Sequence, residues 1–295
     1  MVLQVGDIVS RKSYNHDVLF RIEEIIDSGK IVLLKGINIR LLADASDDDL
    51  VKVEEDEQNK RHLEQEEQTE HSIKLISQER RLRQEGNDWY SSGRYRSVEQ
   101  YFEMPGKVLH VDGDINYLKK CVTLYRDLNI PVTGVHIAEK DMAARMPELL
   151  EKYKPDILVV TGHDGFIQSG QDVSKVSSYR NSGNFIEAIK VARRYERNRD
   201  VLIIFAGACQ SHFEALLEAG ANYASSPGRI LIHALDPVFI AEKVAYTSIR
   251  ETINLFDLMK NTITGMDGLG GIETKGSYRL GFPKTAHSLY PFAAT

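Results

Sequence analysis

The segment Asp156-Ile157-Leu158-Val159-Val160-Thr161-Gly162-His163-Asp164-Gly165 decides the fold. Its short, unbroken apolar run reads as a strand buried on both faces. Such strands belong to parallel sheets, because a hairpin with one wet face alternates apolar and polar residues. The same pattern recurs at Val201-Leu202-Ile203-Ile204-Phe205-Ala206-Gly207-Ala208-Cys209-Gln210. Working outward, 107–111 and 132–137 read as further strands, and helices are expected from 115 to about 128, over 141–152 and over 184–198. After Cys209 come a helix over 211–217, a strand over 221–227, and helices over 237–248 and 250–260. This alternation predicts an α/β fold, a parallel sheet flanked by helices with right-handed crossovers.

In such sheets ligands bind beyond the carboxyl ends of the strands, and there the two runs deliver His163 and Cys209. A thiol is mostly protonated at neutral pH and becomes a nucleophile only beside a base or a cation, and imidazole supplies either. The helix expected at 211–217 would place its positive end near the sulfur. Gly207 and Ala208 keep side chains away from backbone amides that an oxyanion would need. Taken singly, the bland readings are a core cysteine and a hydrogen-bonded histidine; together the two residues form a candidate Cys-His dyad. His212 is the alternative base.

Upstream, 1–53 holds short strands at 7–10, 19–22, 30–34 and 38–42 separated by turn residues, the pattern of a small SH3-like β-barrel. Residues 54–104 are rich in Glu, Gln, Lys and Arg with sparse apolar positions, which reads as a charged helical or flexible linker serving as a spacer. The α/β part is expected over 105–295. The polar stretch 166–183 reads as a loop beside the active end. The segment 265–271 is Gly-rich, but it follows a helix instead of a buried strand, so it reads as a flexible loop and not a phosphate loop.

The chain of 295 residues carries 37 Lys+Arg against 43 Asp+Glu, a formal charge of −6, which argues against general nucleic-acid binding. It has no apolar run of the roughly 18 residues that a membrane span needs and no secretory leader pattern, so a cytoplasmic protein is expected. Two cysteines without Cys-x-x-Cys spacing exclude a disulfide framework and a thiolate zinc site. Cys121 lies on the apolar face of a helix and reads as core. No metal or cofactor is expected.

A hydrophobic block ending in His near a Gly, followed by a second block ending in Ala208-Cys209, resembles the caspase, legumain and clostripain type of cysteine protease. In those proteases the His meets its Gly directly, whereas Asp164 intervenes here. The amides of Asp164, Gly165 and Cys209 therefore all remain candidates for the oxyanion. The segment Tyr223-Ala224-Ser225-Ser226 is similar to a legumain-type substrate-binding stretch. Over its whole length, N-terminal region included, the chain resembles the YabG protease family of spore-forming bacteria.

That resemblance implies a cysteine endopeptidase with Cys209 as nucleophile and His163 as partner, cleaving after Arg. It further implies spore coat and cortex-related proteins as substrates, action in the mother cell during sporulation, and processing of the protease itself, for which the arginines between 80 and 96 are the expected sites. In caspase-like folds the end of the first strand helps line the specificity pocket. Asp112 is thus the first candidate for its floor, with Asp114, which is also placed to cap the helix at 115, and Asp164 as alternatives. From the residues alone, a glutaminase-type amidohydrolase and a non-enzymatic binding module stay open.

Overall fold

Ile8–Arg11 (β1), Phe20–Ile26 (β2), Ile31–Gly36 (β3), Leu42–Ser46 (β4) and Leu50–Lys52 (β5) pair antiparallel in the order β4-β3-β2-β1-β5. The computed structural model in which they are seen describes residues 3–26, 30–91, 102–167 and 172–282, with backbone alone over 83–91. Alternate residues Val9, Phe20, Ile22, Val32 and Leu34 form the sheet's dry face. The strand expected at 38–42 is displaced. Asn38 adopts φ 62°, the left-handed region, and the chain from 37 to 41 leaves the sheet before Leu42 opens β4.

A long helix, Glu55–Ser91 (α1), follows. Over 72–80 it is not a solvated spacer: Ile76 is 1% exposed and sits in a core with Tyr125 and Val244. Arg80 donates from Nε to Glu242 Oε1 (2.7 Å) and from Nη1 to the Leu128 carbonyl (2.7 Å), with its guanidinium over the Tyr246 ring. Sparse apolar positions on a helix look solvated in the sequence, yet Ile76 with Ile73 beside it, and the charged Glu79 and Arg80, dock this one.

The larger sheet is built from Val108–Asp112 (β7), reached through the short Phe102–Met104 (β6), then Ile115–Asp127 (α2), Val132–His136 (β8), Met142–Tyr153 (α3), Ile157–Thr161 (β9), Ser182–Tyr195 (α4), Ile203–Ala206 (β10), Phe213–Ala219 (α5), Tyr223–Ser225 (β11), Asp236–Tyr246 (α6), Leu255–Met259 (α7), Leu269–Gly271 (β12) and Arg279–Gly281 (β13). Its order is β12-β11-β10-β9-β7-β8, and β13 pairs separately with β6. All pairs in the larger sheet are parallel except β11–β12, so the sheet is mixed. The strands expected around 108, 132, 157 and 203 and the helices α2, α3 and α4 fall where the apolar patterning puts them.

Alternate residues of each buried strand face opposite layers. Ile157, Val159, Ile203 and Phe205 pack on α2 and α6, while Leu158, Val160, Ile204 and Ala206 pack on α3, α4 and α5. Two expectations are corrected here. The Gly-rich 269–271 is the antiparallel edge strand β12 and not a flexible loop: Leu269 packs in the core, and a Cβ at Gly270 or Gly271 would run into Phe213 or into Asn222 and Tyr223. The helix expected over 250–260 is confined to Leu255–Met259, capped by Asn254, whose side chain accepts from the Phe256 and Asp257 amides. No helix among the described residues is long and apolar enough to cross a membrane.

Docking of α1 brings Glu79 to Lys260 (2.9 Å) and Lys243 (3.4 Å). Burial opposes its ionisation, but hydrogen bonds from Lys260 and Asn261 and the nearby lysine charges outweigh burial and draw its pKa from 4.5 to about 2. A carboxylate depressed on folding stabilises the protein above its unfolded pKa and loses that contribution as pH falls through the folded one. Urea unfolding followed between pH 5 and 2 is therefore expected to show a shallower acid loss in Glu79→Gln than in the parent chain; equal slopes would contradict it.

Candidate active site

Three neighbouring strands, β10, β9 and β7, end at one edge and present Cys209, His163 and Asp112. Just past β10, Gly207 takes φ 116°, and a Cβ there would run into Ser225 Oγ, so only glycine makes this turn. Its amide donates to the Val160 carbonyl (3.0 Å), and the Ala208 amide donates to Ser211 Oγ (2.9 Å). Those two amides are taken up by the β9–β10 ladder and by the turn. The Cys209 amide donates to the carbonyl of Arg40 at 3.3 Å. The Asp164 amide donates to the same oxygen at 3.2 Å. The Gly165 amide, the third candidate, is turned to Asp164 Oδ1 (2.9 Å).

The sequence suggested a helix beginning right after Cys209. Instead α5 starts at Phe213, with His212 as its N-cap. His212 Nδ1 accepts from the Ala215 amide (3.3 Å), which makes Nε2 the protonated nitrogen, donating to the Ser174 carbonyl (2.9 Å). With both ring nitrogens engaged in capping and loop anchoring, His212 is a structural group, and the helix end is spent on its own cap.

Cys209 is fully buried, and its sulfur lies against the Ile232 backbone, accepting from the amide (3.2 Å) and donating to the carbonyl (3.4 Å). Burial pushes the thiol up to about 12. His163, 3% exposed, stacks on Tyr117 at 5.3 Å between ring centroids, and its Nε2 has no hydrogen-bond partner; Asp114 Oδ2 is 3.9 Å away. Burial, then the Lys35 charge, lower its pKa to about 3. No hydrogen bond joins the two side chains. The site thus holds a neutral thiol and a neutral imidazole, the protonation states from which a base accepts a thiol proton.

The three carboxylates separate clearly. Asp112 is fully buried and receives Arg40 Nη1 on both oxygens, at 3.0 and 2.8 Å, with Thr161 Oγ1 (3.0 Å), the Asp114 amide (2.8 Å) and His110 Nε2 (3.3 Å) around it. Burial alone would raise its pKa, but the Arg40 charge and the His110 hydrogen bond hold it well below the usual carboxylate range. Asp114 caps α2, accepting from the Asn116 and Tyr117 amides, and pairs with Lys35. Asp164 accepts from the Gly165 and Asn181 amides and from the Ser182 and Ser211 hydroxyls, so its carboxylate ties the ends of β9 and β10 to α4 and has none left for a ligand.

Ser225 donates to the Ala208 carbonyl (2.9 Å), and Ser226 Oγ accepts from the Gln210 amide (3.0 Å) while donating to the Ile230 carbonyl (2.8 Å). Both are buried and brace the Cys209 turn from behind. Cys121 is core, as expected, and also touches Arg40 Nη2 at 3.6 Å. Arg40 itself, fully buried, escapes a reading of the sequence that assigns 38–42 to a barrel strand. The available signal is an arginine inside an apolar run, which cannot be buried without an anionic partner.

Removing the Asp164 carboxylate leaves two buried amides and two hydroxyls without their acceptor. We expect Asp164→Ala to lower the unfolding free energy by about 3 kcal/mol or more in urea titrations; a loss under ~1 kcal/mol would show that the carboxylate does not tie these strand ends together.

Two comparisons bear on this arrangement. The family model of YabG peptidase U57 matches residues 4–283. The sporulation-specific protease YabG of Bacillus subtilis (strain 168) is 48% identical over 286 residues, spanning 96% of this chain and 99% of that protein. No solved structure matches.

Proposed function

Since this chain belongs to the YabG peptidase family and is a peptidase, we propose that it is a cysteine endopeptidase cleaving after arginine, with Cys209 as nucleophile and His163 as general base. The observation that carries this reading is the convergence of the Cys209 and Asp164 amides on one carbonyl oxygen. One amide belongs to the proposed nucleophile and the other to the residue after the proposed base. Donors so placed stabilise the oxyanion that develops when a thiolate adds to a peptide carbonyl. Asp164 occupying the position after the histidine does not remove the donor, because the backbone amide supplies it.

In the proposed reaction His163 takes the Cys209 proton, Sγ adds to the carbonyl carbon, and the imidazolium protonates the leaving amine. Water, deprotonated by His163, then hydrolyses the thioester. Asp114, 3.9 Å from His163 Nε2, stands where it would stabilise the imidazolium. Asp112 supplies arginine selectivity: it already holds a guanidinium in a dry pocket, which an ammonium on a shorter reach would not match.

In this reading residues 105–295 are a caspase-like protease unit, 1–53 a small SH3-like module and 54–104 the connection between them. The substrates are spore coat and cortex-related proteins, met in the mother cell. The protease also cuts itself between 80 and 96. Arg80 is tied to Glu242 and Leu128, while Arg94, Arg96 and the Arg83 side chain lie outside the described residues.

Cys209→Ala is expected to abolish cleavage of unstructured polypeptides with the fold retained, since the buried sulfur is replaced by a smaller apolar group. His163→Ala is expected to be nearly as damaging, and His212→Ala to act mainly on stability. Cleavage that persists in Cys209→Ala, read by mass spectrometry of the products, would sink the assignment. For specificity, Asp112→Asn should reduce the ratio of kcat/KM for an Arg peptide over its norleucine analogue by about 2 kcal/mol, roughly 30-fold. An unchanged ratio would place the arginine pocket elsewhere.

A further inference from the structure

Cys209 has no surface open to solvent and belongs to the same apolar cluster as Val9, Phe20, Ile22, Leu34 and Leu41 of the N-terminal region. A nucleophile in that position receives no protein substrate until something moves. The loop between β3 and β4 covers its amide, through the Arg40 carbonyl, and the backbone of Ile232 covers its sulfur; the loop is fastened at several points across the strand ends. Ile39 bridges antiparallel to His233, the Ala234 amide donates to the Asn38 carbonyl (2.9 Å), Leu41 bridges parallel to Asp164, and the Leu42 amide donates to the Asp164 carbonyl (3.0 Å).

Between those anchors Arg40 makes both sets of contacts expected of a residue on the acyl side of a scissile bond. Its carbonyl oxygen sits on the Cys209 and Asp164 amides. Its guanidinium sits on Asp112, with Nε and Nη2 donating to the Ala234 carbonyl at 3.3 and 3.2 Å. A purely architectural ion pair would need the guanidinium alone. The main-chain carbonyl in the same two-amide site is the independent sign of substrate-like binding.

We propose that residues 38–42 are an internal substrate mimic that occupies the cleft and keeps it shut until the N-terminal sheet is displaced. The proposal rests on the reading of the site given above and identifies the occupant that regulates it. The loop is suited to block and not to be consumed. Both of its flanks are tied into one sheet, β3 to β4, and the Leu41 carbonyl is held by the Gly36 amide at 2.9 Å, so the groups on either side of the Arg40–Leu41 bond are held in place. The Cys209 sulfur meanwhile faces Ile232 and makes no hydrogen bond to His163.

The test compares the full chain with Arg40→Ala and Arg40→Lys, reading iodoacetamide labelling of the Cys209 peptide by mass spectrometry and cleavage of a short Arg peptide in trans. Arg40→Ala is expected to label more than ~10-fold faster than the parent, as the open population grows. Arg40→Lys, which keeps a cation for Asp112 but loses the contacts to Ala234, is expected to fall between them, and peptide cleavage should rise in the same order. Should Arg40→Ala fail to fold, with Asp112 left unpaired, Arg40→Lys decides alone. Labelling at the parent rate in a folded variant overturns the mimic. Faster labelling with no peptide cleavage by any of the three chains would uphold the mimic and overturn the protease assignment.

Discussion

Two fully buried opposite charges, Arg40 and Asp112, hold this molecule's parts in register. Taking either ion out of water alone costs several kcal/mol, so each requires the other, and breaking such a pair by removing one partner is far more damaging than replacing both. Asp112 closes β7 and gathers Thr161 from β9, the Asp114 amide that opens α2, and His110 from its own strand. Arg40 brings the β3–β4 loop, and with it the N-terminal sheet. The carboxyl edge of the larger sheet is thereby built around a guanidinium, at the place where the two sheets meet.

The same burial sets the chemistry at rest. A thiol pushed up to about 12 and an imidazole pulled down to about 3 are both neutral at the pH of a cell, the sulfur turned to Ile232 and the imidazole Nε2 without a hydrogen bond. Opening the cleft would admit water to both and remove the main cause of each shift, bringing the two groups toward the range in which proton transfer between them is feasible. On the proposed reading, covering the site and lowering its reactivity would be one event, since both would follow from excluding solvent.

Most of the larger sheet was legible in the sequence because its strands are buried on both faces and announce themselves as unbroken apolar runs. The Asp114 cap of α2 was legible because capping is local. His163 and Cys209 fell at strand ends, where parallel sheets place their chemistry, and Asp112 was reachable by the same argument. What could not be read depends on partners far away in the chain. The path of 37–41 off the N-terminal sheet is set by Asp112, 72 residues beyond Arg40. The docking of α1 rests on Ile76, Glu79 and Arg80 meeting residues about 50 to 180 positions away, and β12 is set by its pairing to β11 and by Leu269 in the core. Of the three amides expected to face an oxyanion, those of Cys209 and Asp164 share the Arg40 carbonyl, while the Gly165 amide is turned to Asp164 Oδ1, a local bond that the spacing of His163 and Gly165 does not announce.

The most direct test of the central claim is a crystal structure of the Arg40→Ala chain treated with a peptidyl-arginine chloromethyl ketone. The account predicts a covalent bond from Cys209 Sγ to the inhibitor, its guanidinium on Asp112 where Arg40 now lies, and its carbonyl-derived oxygen within hydrogen-bonding distance of the Cys209 and Asp164 amides. An adduct on Cys121 or on any histidine, or an inhibitor guanidinium bound away from Asp112, would contradict it.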